Sequence, residues 1–476
     1  MSELIYANGI NARTGEYLRE PVELDGLAAA IVAEPPTLPA TEYFDNWQHA
    51  GEFEFGLGWE VDPLALSQAG WAVVYSADED EAVKDALVPL IEHRAAQVGD
   101  PDRFKVLQHR PGETFQAWLG RHGPAPGTVD PTLVPYYVLV VGSPERIPFD
   151  FQYLLDVEYA VGRLHFNDAS RYAQYAISVV DYETARTTPH DRSTVFFGTR
   201  HLGDRATNLS ADGLVRPLAL GERGEPTEAA KWGYRTKMLV GADGEDTASR
   251  GALLQLLEGR SPDIGRPAVL FTATHGLGLE SDDPMQRAVN GSLLCQDWRG
   301  GAPTLEDSIG GSHVDGAHVH GMVAFLFACF SAGTPGLDEF PRTLSGTRAT
   351  IASEPFVAAL PQALLGHPNG GALAVIGHIE RAWGYSIASF GRSQLQPYKN
   401  TLGQILAGRP VGLAMSHFNE RYGVLSASLA NLLRDVSFGV SVPQSAIVSA
   451  WIERTDAQNF VVLGDPAVRL HAPQTS

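Results

Sequence analysis

Cysteine is nearly absent from this chain: only Cys295 and Cys329 occur in 476 residues. Two thiols cannot build a disulfide framework, so the chain reads as one kept in a reducing cytoplasm. Lysine is almost as scarce, at Lys84, Lys105, Lys231, Lys237 and Lys399, and the net charge is -21. That deficit of positive charge argues against nucleic acid or an anionic membrane surface as a partner. It is compatible with a basic partner or substrate, and equally with plain solubility. No apolar run approaches the roughly twenty residues of a membrane span. The first thirty residues lack the basic segment and apolar core of a secretory signal. There is no phosphate-cradling Walker loop, no GxGxxG dinucleotide turn and no GxSxG elbow.

What is present is the balance of a folded globular protein: 44% hydrophobic and 19% charged residues, in a chain long enough for two cores. Residues 1–70 are irregular, with Glu34-Pro35-Pro36 and the aromatics Trp47, Phe53, Phe55 and Trp59. They read as an arm or cap whose aromatics pack on the body. From Trp71 strands and helices alternate, which implies a largely parallel sheet. WAVVYS (71–76) reads as a strand, and Ser76 with Glu79 as a capping box. The helix that follows contains Pro89, which should kink it. The first α/β unit closes near Pro189, so the expected divisions are 1–70, 71–190 and 191–476. In the last unit, residues 331–354 form a long polar loop. A later amphipathic helix uses Leu413, Phe418, Tyr422, Leu425, Leu429 and Leu432. VLVVGSP and VVLGDP echo each other, which shared turn chemistry suffices to explain.

Two apolar runs end on reactive side chains. AVLFTATHG (268–276) ends at His275-Gly276, and MVAFLFAC (322–329) ends at Cys329. Each is uncharged, β-branched and aromatic, as a strand buried on both faces must be. Ligands in open α/β sheets bind beyond the carboxyl ends of the strands. A thiol and an imidazole delivered to that edge make a nucleophile and its base. Ser331-Ala332-Gly333 follow Cys329 closely, so the thiol stands at a strand-to-loop edge rather than deep in a core.

Strand-His-Gly, strand-Ala-Cys, a GGALAVIGHIERAW strand bearing Trp383 and a terminal LGDP strand occur in that order, after VVGSPERIP and YAVGRL. This set resembles the caspase-like (clan CD) cysteine peptidases, and the gingipain branch most of all, over roughly residues 130–470. The 54 residues from His275 to Cys329 are close to the roughly fifty of caspases. The resemblance implies two α/β subdomains with mostly parallel sheets flanked by helices. It implies a thiol endopeptidase in which Cys329 attacks the scissile carbonyl and His275 protonates the leaving amine. The N–H groups of Gly276 and Cys329 would hold the oxyanion. It further implies cleavage of proteins after basic residues, arginine preferred, with Asp212 and Trp383 forming the S1 pocket. Arg342 and Arg348, in the long loop, would be processing sites for an upstream activating protease or for the chain itself. Bacterial relatives of this fold serve signalling, cell-death and defence circuits, antiviral defence among them. No cofactor is implied, and the structural calcium of some family members has no position readable here. The glutamate proposed as a third catalytic member falls near His201, so that role has no matching residue. Cys329 is followed by Phe330-Ser331 rather than the Arg-Gly of caspases, and the arm before residue 70 has no counterpart.

Other chemistries weigh less. His313, His318 and His320 with Asp315 could form a metal cluster, but their spacing has neither the regularity of structural zinc nor an HExxH helix. A catalytically silent scaffold binding a protein partner through its acidic surface would need neither His275 nor Cys329. An acyl or glutamine-amide transferase would use the same pair on small amides.

Overall fold

The uncharged runs of this chain have no polar face to offer water, and the long ones become strands covered on both sides. The structure, a computed structural model, describes residues 4–5, 8–33, 57–124, 127, 129–222, 224–241, 247–339, 348–389 and 392–471. Ten strands make one sheet: β1 (Trp71–Ser76), β2 (Phe104–His109), β3 (Tyr137–Val141), β4 (Ala160–Leu164), β5 (Asp191–Gly198), β6 (Arg235–Val240), β7 (Pro267–Ala273), β8 (Val323–Phe327), β9 (Ala374–His378) and β10 (Phe460–Gly464). Their spatial order is β2-β1-β3-β4-β10-β9-β8-β7-β5-β6. Every pairing is parallel except β9 with β10. The protein is therefore α/β with a mostly parallel sheet, built as two parallel blocks of opposite direction.

That reversal decides where function can sit. The carboxyl ends of β5, β7 and β8 emerge together on one edge. The Gly-Ser-Pro and Gly-Asp-Pro turns that follow β3 and β10 lie on the opposite edge, since both strands belong to the other block. The sheet runs without a break through the division expected near residue 190. The last strand, β10, closes it, lying between β4 of the first block and β9 of the second.

Six helices recur below: α1 (Leu24–Ala33), α2 (Glu81–Val98), α3 (Ala169–Thr184), α4 (Leu395–Leu406), α5 (Ser416–Ser437) and α6 (Gln444–Gln458). Phe418 of α5 packs on Phe460 of β10 at 4.6 Å between ring centroids, and Tyr398 of α4 packs on Phe325 of β8 at 5.9 Å. The N-cap of α2 is Asp80, which accepts from Ala82 N–H, not the expected Ser76, whose hydroxyl instead bonds Asp78. The helix also continues through Pro89. Proline sits on its exposed side, where the carbonyl it frees can turn to water. Of the arm's aromatics, Trp59 is exposed rather than packed, and Trp47, Phe53 and Phe55 lie outside the described residues. No helix among the described residues is long and apolar enough to cross a membrane.

One buried ion pair ties the two ends of the chain together. Arg94 of α2 donates to Asp465, just past β10, at 2.7 Å, and to Glu183 of α3 at 2.6 and 2.7 Å. Trp71 Nε1–H donates to the other Asp465 oxygen at 3.0 Å. Burial opposes the charge on Arg94, and the two carboxylates outweigh it, raising its pKa. Asp465→Ala leaves that guanidinium without its fully buried partner, so unfolding free energy should fall by about 3–5 kcal/mol in urea titration. An unchanged midpoint would show that Glu183 alone holds Arg94.

Candidate active site

Register builds the site. β7 and β8 pair with Ala273 opposite Phe327, and Thr274 N–H donates to Phe327 O at 3.1 Å, carrying the ladder one step further. His275 and Cys329 each stand two residues beyond those ends, so the parallel strands deliver them side by side. Gly276 is the residue at which the two strand ends touch. A Cβ there would lie 1.9 Å from the Cys329 carbonyl oxygen and 2.8 Å from its nitrogen, so only glycine fits. After Cys329 the chain turns on Phe330 at φ 58°, the one non-glycine residue with positive φ among those described. Such a conformation costs about 1–3 kcal/mol and persists where its surroundings impose it. Here Phe330 N–H donates to Glu380 O at 2.8 Å, and Ser331 Oγ donates to Leu326 O at 2.7 Å while accepting from His378 N–H at 3.0 Å.

Asp204 meets the ring of His275, and no reading of the sequence assigned it a role. It accepts from His275 Nε2 at 2.5 Å. The same oxygen accepts from the Thr207 hydroxyl at 2.9 Å, and the other from Tyr17 OH at 2.6 Å and Ala206 N–H at 3.0 Å. Four donors fill a carboxylate's acceptor positions and fix its plane. Burial pushes the Asp204 carboxyl up. The hydrogen bond and charge of His275, with Tyr17 and Thr207, outweigh that and leave it well below the usual range. Asp204 caps the short helix Arg205–Ser210 just after β5, the neighbour of β7. An Asp three residues before a Thr, past a buried strand, was the available signal. It lies three residues from His201, near which the family's glutamate would fall. His201 itself packs edge-on against Trp298, 5.1 Å between centroids, and burial holds its pKa down at about 4. With Nε2 committed to Asp204, Nδ1 is the nitrogen of His275 left for proton transfer.

The thiol of Cys329 is 1% exposed. Burial pushes its pKa up to about 12, against the pull of Ala382 N–H, the Arg381 charge and Gly276 N–H. The Ala382 N–H donates to Sγ at 3.3 Å. Cys295, the other thiol, is also buried, and burial raises its pKa as well.

The remaining expected residues fall in several places. Asp212 is half-exposed on a π-helical turn, Ala211–Val215, where its two oxygens pair with Arg200 and Arg216, each at 3.2 Å. Both oxygens of Asp212 are thus engaged by half-exposed arginines, and these pairs would have to open for an incoming basic side chain. Trp383 adjoins Ala382, whose N–H meets Cys329 Sγ, but it is 1% exposed and packed among Leu27, Ile31, Ile447 and Trp451. It lines no open pocket wall in this conformation because α1 and α6 cover it. Arg348 pairs with Glu339 at 3.4 Å, and Arg342 lies outside the described residues. Of the histidines of the metal rival, His313 Nδ1 accepts from Gly310 N–H and His320 Nε2 bonds Ser178 O, while His318 is tied by its main-chain N–H to Leu257 O. No three His, Cys, Asp or Glu residues are grouped to hold a metal ion among the described residues.

No family model and no curated protein matches the chain. Solved structures similar to it include the Arg-specific cysteine proteinase gingipain R, at 11% identity and a TM-score of 0.45, covering 87% of this chain and 81% of that one. The complex of pro- and mature domains of RgpB from Porphyromonas gingivalis is similar at 12% identity and a TM-score of 0.46, over 86% and 81%. The Saccharomyces cerevisiae separase–securin complex is similar at 11% and 0.32, over 70% of this chain and 15% of that one. At identities this low and TM-scores below one half, the chemistry of the site itself has to decide what the chain does.

Proposed function

We propose that the chain is a cysteine endopeptidase acting on proteins after basic residues, arginine preferred, with Cys329 as nucleophile and His275 as its acid–base partner. The observation that carries this reading is the His275–Asp204 hydrogen bond at 2.5 Å, on a strand whose register sets His275 beside Cys329. A structural histidine in a turn needs no carboxylate saturated by four donors; an imidazole that must accept a proton and keep its orientation does.

In the reaction the Cys329 proton passes to His275, and sulfur attacks the scissile carbonyl carbon. The oxyanion is held by backbone N–H groups, those of Gly276 and Cys329 being the candidates. The C–N bond breaks as His275 returns the proton to the leaving amine. Water, deprotonated by His275, then hydrolyses the thioester and regenerates the thiol. Asp204 orients His275 and stabilises its cation without exchanging a proton itself. No step calls on a metal or cofactor. The two unpaired thiols support a cytoplasmic setting.

The test compares the wild-type chain with Cys329→Ala on a fluorogenic peptide library varied at P1, before and after nicking with a glutamyl endopeptidase that is then inactivated. Cleavage after arginine or lysine by the wild type alone is the expected result. Cysteine-dependent cleavage after another residue would keep the mechanism and remove the basic preference. Equal behaviour of the two chains under both conditions would overturn the reading in favour of a scaffold.

A further inference from the structure

The thiol and imidazole just described are both buried, and the arm lies against both. Residues 9–18 fold as a hairpin tongue: Ile10 bridges Tyr17, Asn11 N–H donates to Glu16 O at 2.8 Å, and Leu18 N–H donates to Gly9 O at 3.1 Å. Its first strand, Ile10–Asn11, adds in parallel to Leu277–Gly278, the segment directly after His275-Gly276. Ile10 N–H donates to Gly276 O at 3.2 Å and Ala12 N–H to Gly278 O at 2.9 Å. An extended peptide added to an exposed backbone edge is a common mode of peptide recognition.

Three contacts then close the site. Gly9 rests on the nucleophile, where a Cβ would come within 3.3 Å of Cys329 Sγ. Tyr17 bonds Asp204 and sets its ring edge-on to His275 at 5.7 Å. Leu18 fills the space beside Gly278 and Phe330. The next residue, Arg19, reaches to Asp338, a carboxylate only 1% exposed in the loop after Cys329. Asp338 also bonds Arg381, whose main chain lies between Glu380 O, the acceptor for Phe330 N–H, and Ala382 N–H, the donor to Cys329 Sγ. The carboxylate that holds Arg19 is thus built into the wall of the nucleophile. Outside the site the tongue is fastened by Arg13 to Asp283, bidentate at 2.8 and 3.1 Å.

We propose that residues 9–19 lie in the substrate cleft as a built-in occupant, and that Asp338, filled here by Arg19, is the carboxylate that takes the basic side chain of a substrate. The inference rests on the peptidase reading for the word substrate, but its geometry does not. With the tongue seated, no peptide carbonyl can reach Sγ, so the chain is latent until the tongue lifts. Charge selection at Asp338 gives a basic preference without Asp212, because a guanidinium pairs with a carboxylate through directed hydrogen bonds.

Iodoacetamide labelling of the full-length chain, read separately at Cys329 and Cys295 by mass spectrometry, tests the tongue. Arg19→Glu, which sets like charges together, and Tyr17→Ala, which frees the His275–Asp204 pair, should each speed labelling of Cys329 at least about tenfold over wild type. Cys295 should stay slow. Equal Cys329 rates in all three chains, or acceleration of both cysteines together, would overturn the occlusion. In Arg19→Ala, acetyl-Leu-Arg-amide should protect Cys329 from labelling while acetyl-Leu-Glu-amide should not, and Asp338→Asn should abolish the protection. Protection by both peptides, or by neither, would remove the role of Asp338. Labelling is read without hydrolysis. A responsive thiol in a chain that cleaves nothing would therefore fail the peptidase reading alone, and an active chain with unresponsive Cys329 would fail the tongue alone.

Discussion

Asp204→Ala should lower kcat by about 10²- to 10⁴-fold, the contribution of a positioned acid–base group, while KM for the same peptide hardly moves. Asp204 acts through His275, and its contact with the cleft's occupant is the Tyr17 hydroxyl, which leaves with the tongue. It holds His275 Nε2 at 2.5 Å and is itself held by Tyr17, Thr207 and Ala206. Its loss frees the imidazole to rotate and removes the charge that stabilises its protonated form. Both effects are felt in the transition state rather than in binding. Asp204→Asn keeps the shape without the charge and should fall between the two. The second aspartate of the region supplies the contrast. Asp212→Ala breaks only half-exposed pairs with Arg200 and Arg216, and should leave arginine cleavage unchanged. Measuring kcat and KM for the three variants on one arginine peptide, each in the Arg19→Glu background that lifts the tongue, decides the matter. An Asp204→Ala chain of wild-type kcat would remove Asp204 from the mechanism, and a collapse in Asp212→Ala would return it to the pocket.

Gly276→Ala should have an effect of comparable size through a different route. The added methyl would meet the Cys329 carbonyl oxygen at 1.9 Å and its backbone nitrogen at 2.8 Å. Neither is the end of a flexible side chain, so the two strand ends must part. Separating nucleophile and base by even an ångström costs about 10²-fold in rate, and forcing apart a packed strand end costs about 1–3 kcal/mol of stability. The expected result is a drop in kcat/KM of at least that order together with a lower urea midpoint. Neighbouring Gly278 faces side chains, Leu18 and Phe330, and Gly278→Ala should push first on the tongue. Full activity in Gly276→Ala would mean that His275 and Cys329 do not depend on contact between these strand ends.

The reading of the amino-acid sequence and the fold agree where one physical rule governs a short stretch. Uncharged runs such as VLFTA and VAFLF can only be strands buried on both faces, and their reactive ends could be read off directly. The α/β class followed from the alternation of such runs with helical patterns. Local detail was less secure. A Ser-x-x-Glu pattern suggested a cap at Ser76, but Asp80 directly precedes the helix and took that place. Pro89 is tolerated because its helix turns that side to water.

By itself, then, the sequence determined the strands and placed His275, Gly276 and Cys329 at their carboxyl ends, because burial and backbone sterics act over a few residues. Only the tertiary structure decided the rest. It joined two blocks of opposite direction into one sheet, brought Asp204 from after β5 to the ring of His275, 71 residues away, and left Asp212 on the surface. It also laid an irregular arm across the cleft, with Arg19 on Asp338, 319 residues distant. Such pairings follow from strand order and from which surface an irregular segment covers. Neither leaves a periodicity in the chain, because the partners are selected by where the sheet places them and not by their neighbours in sequence.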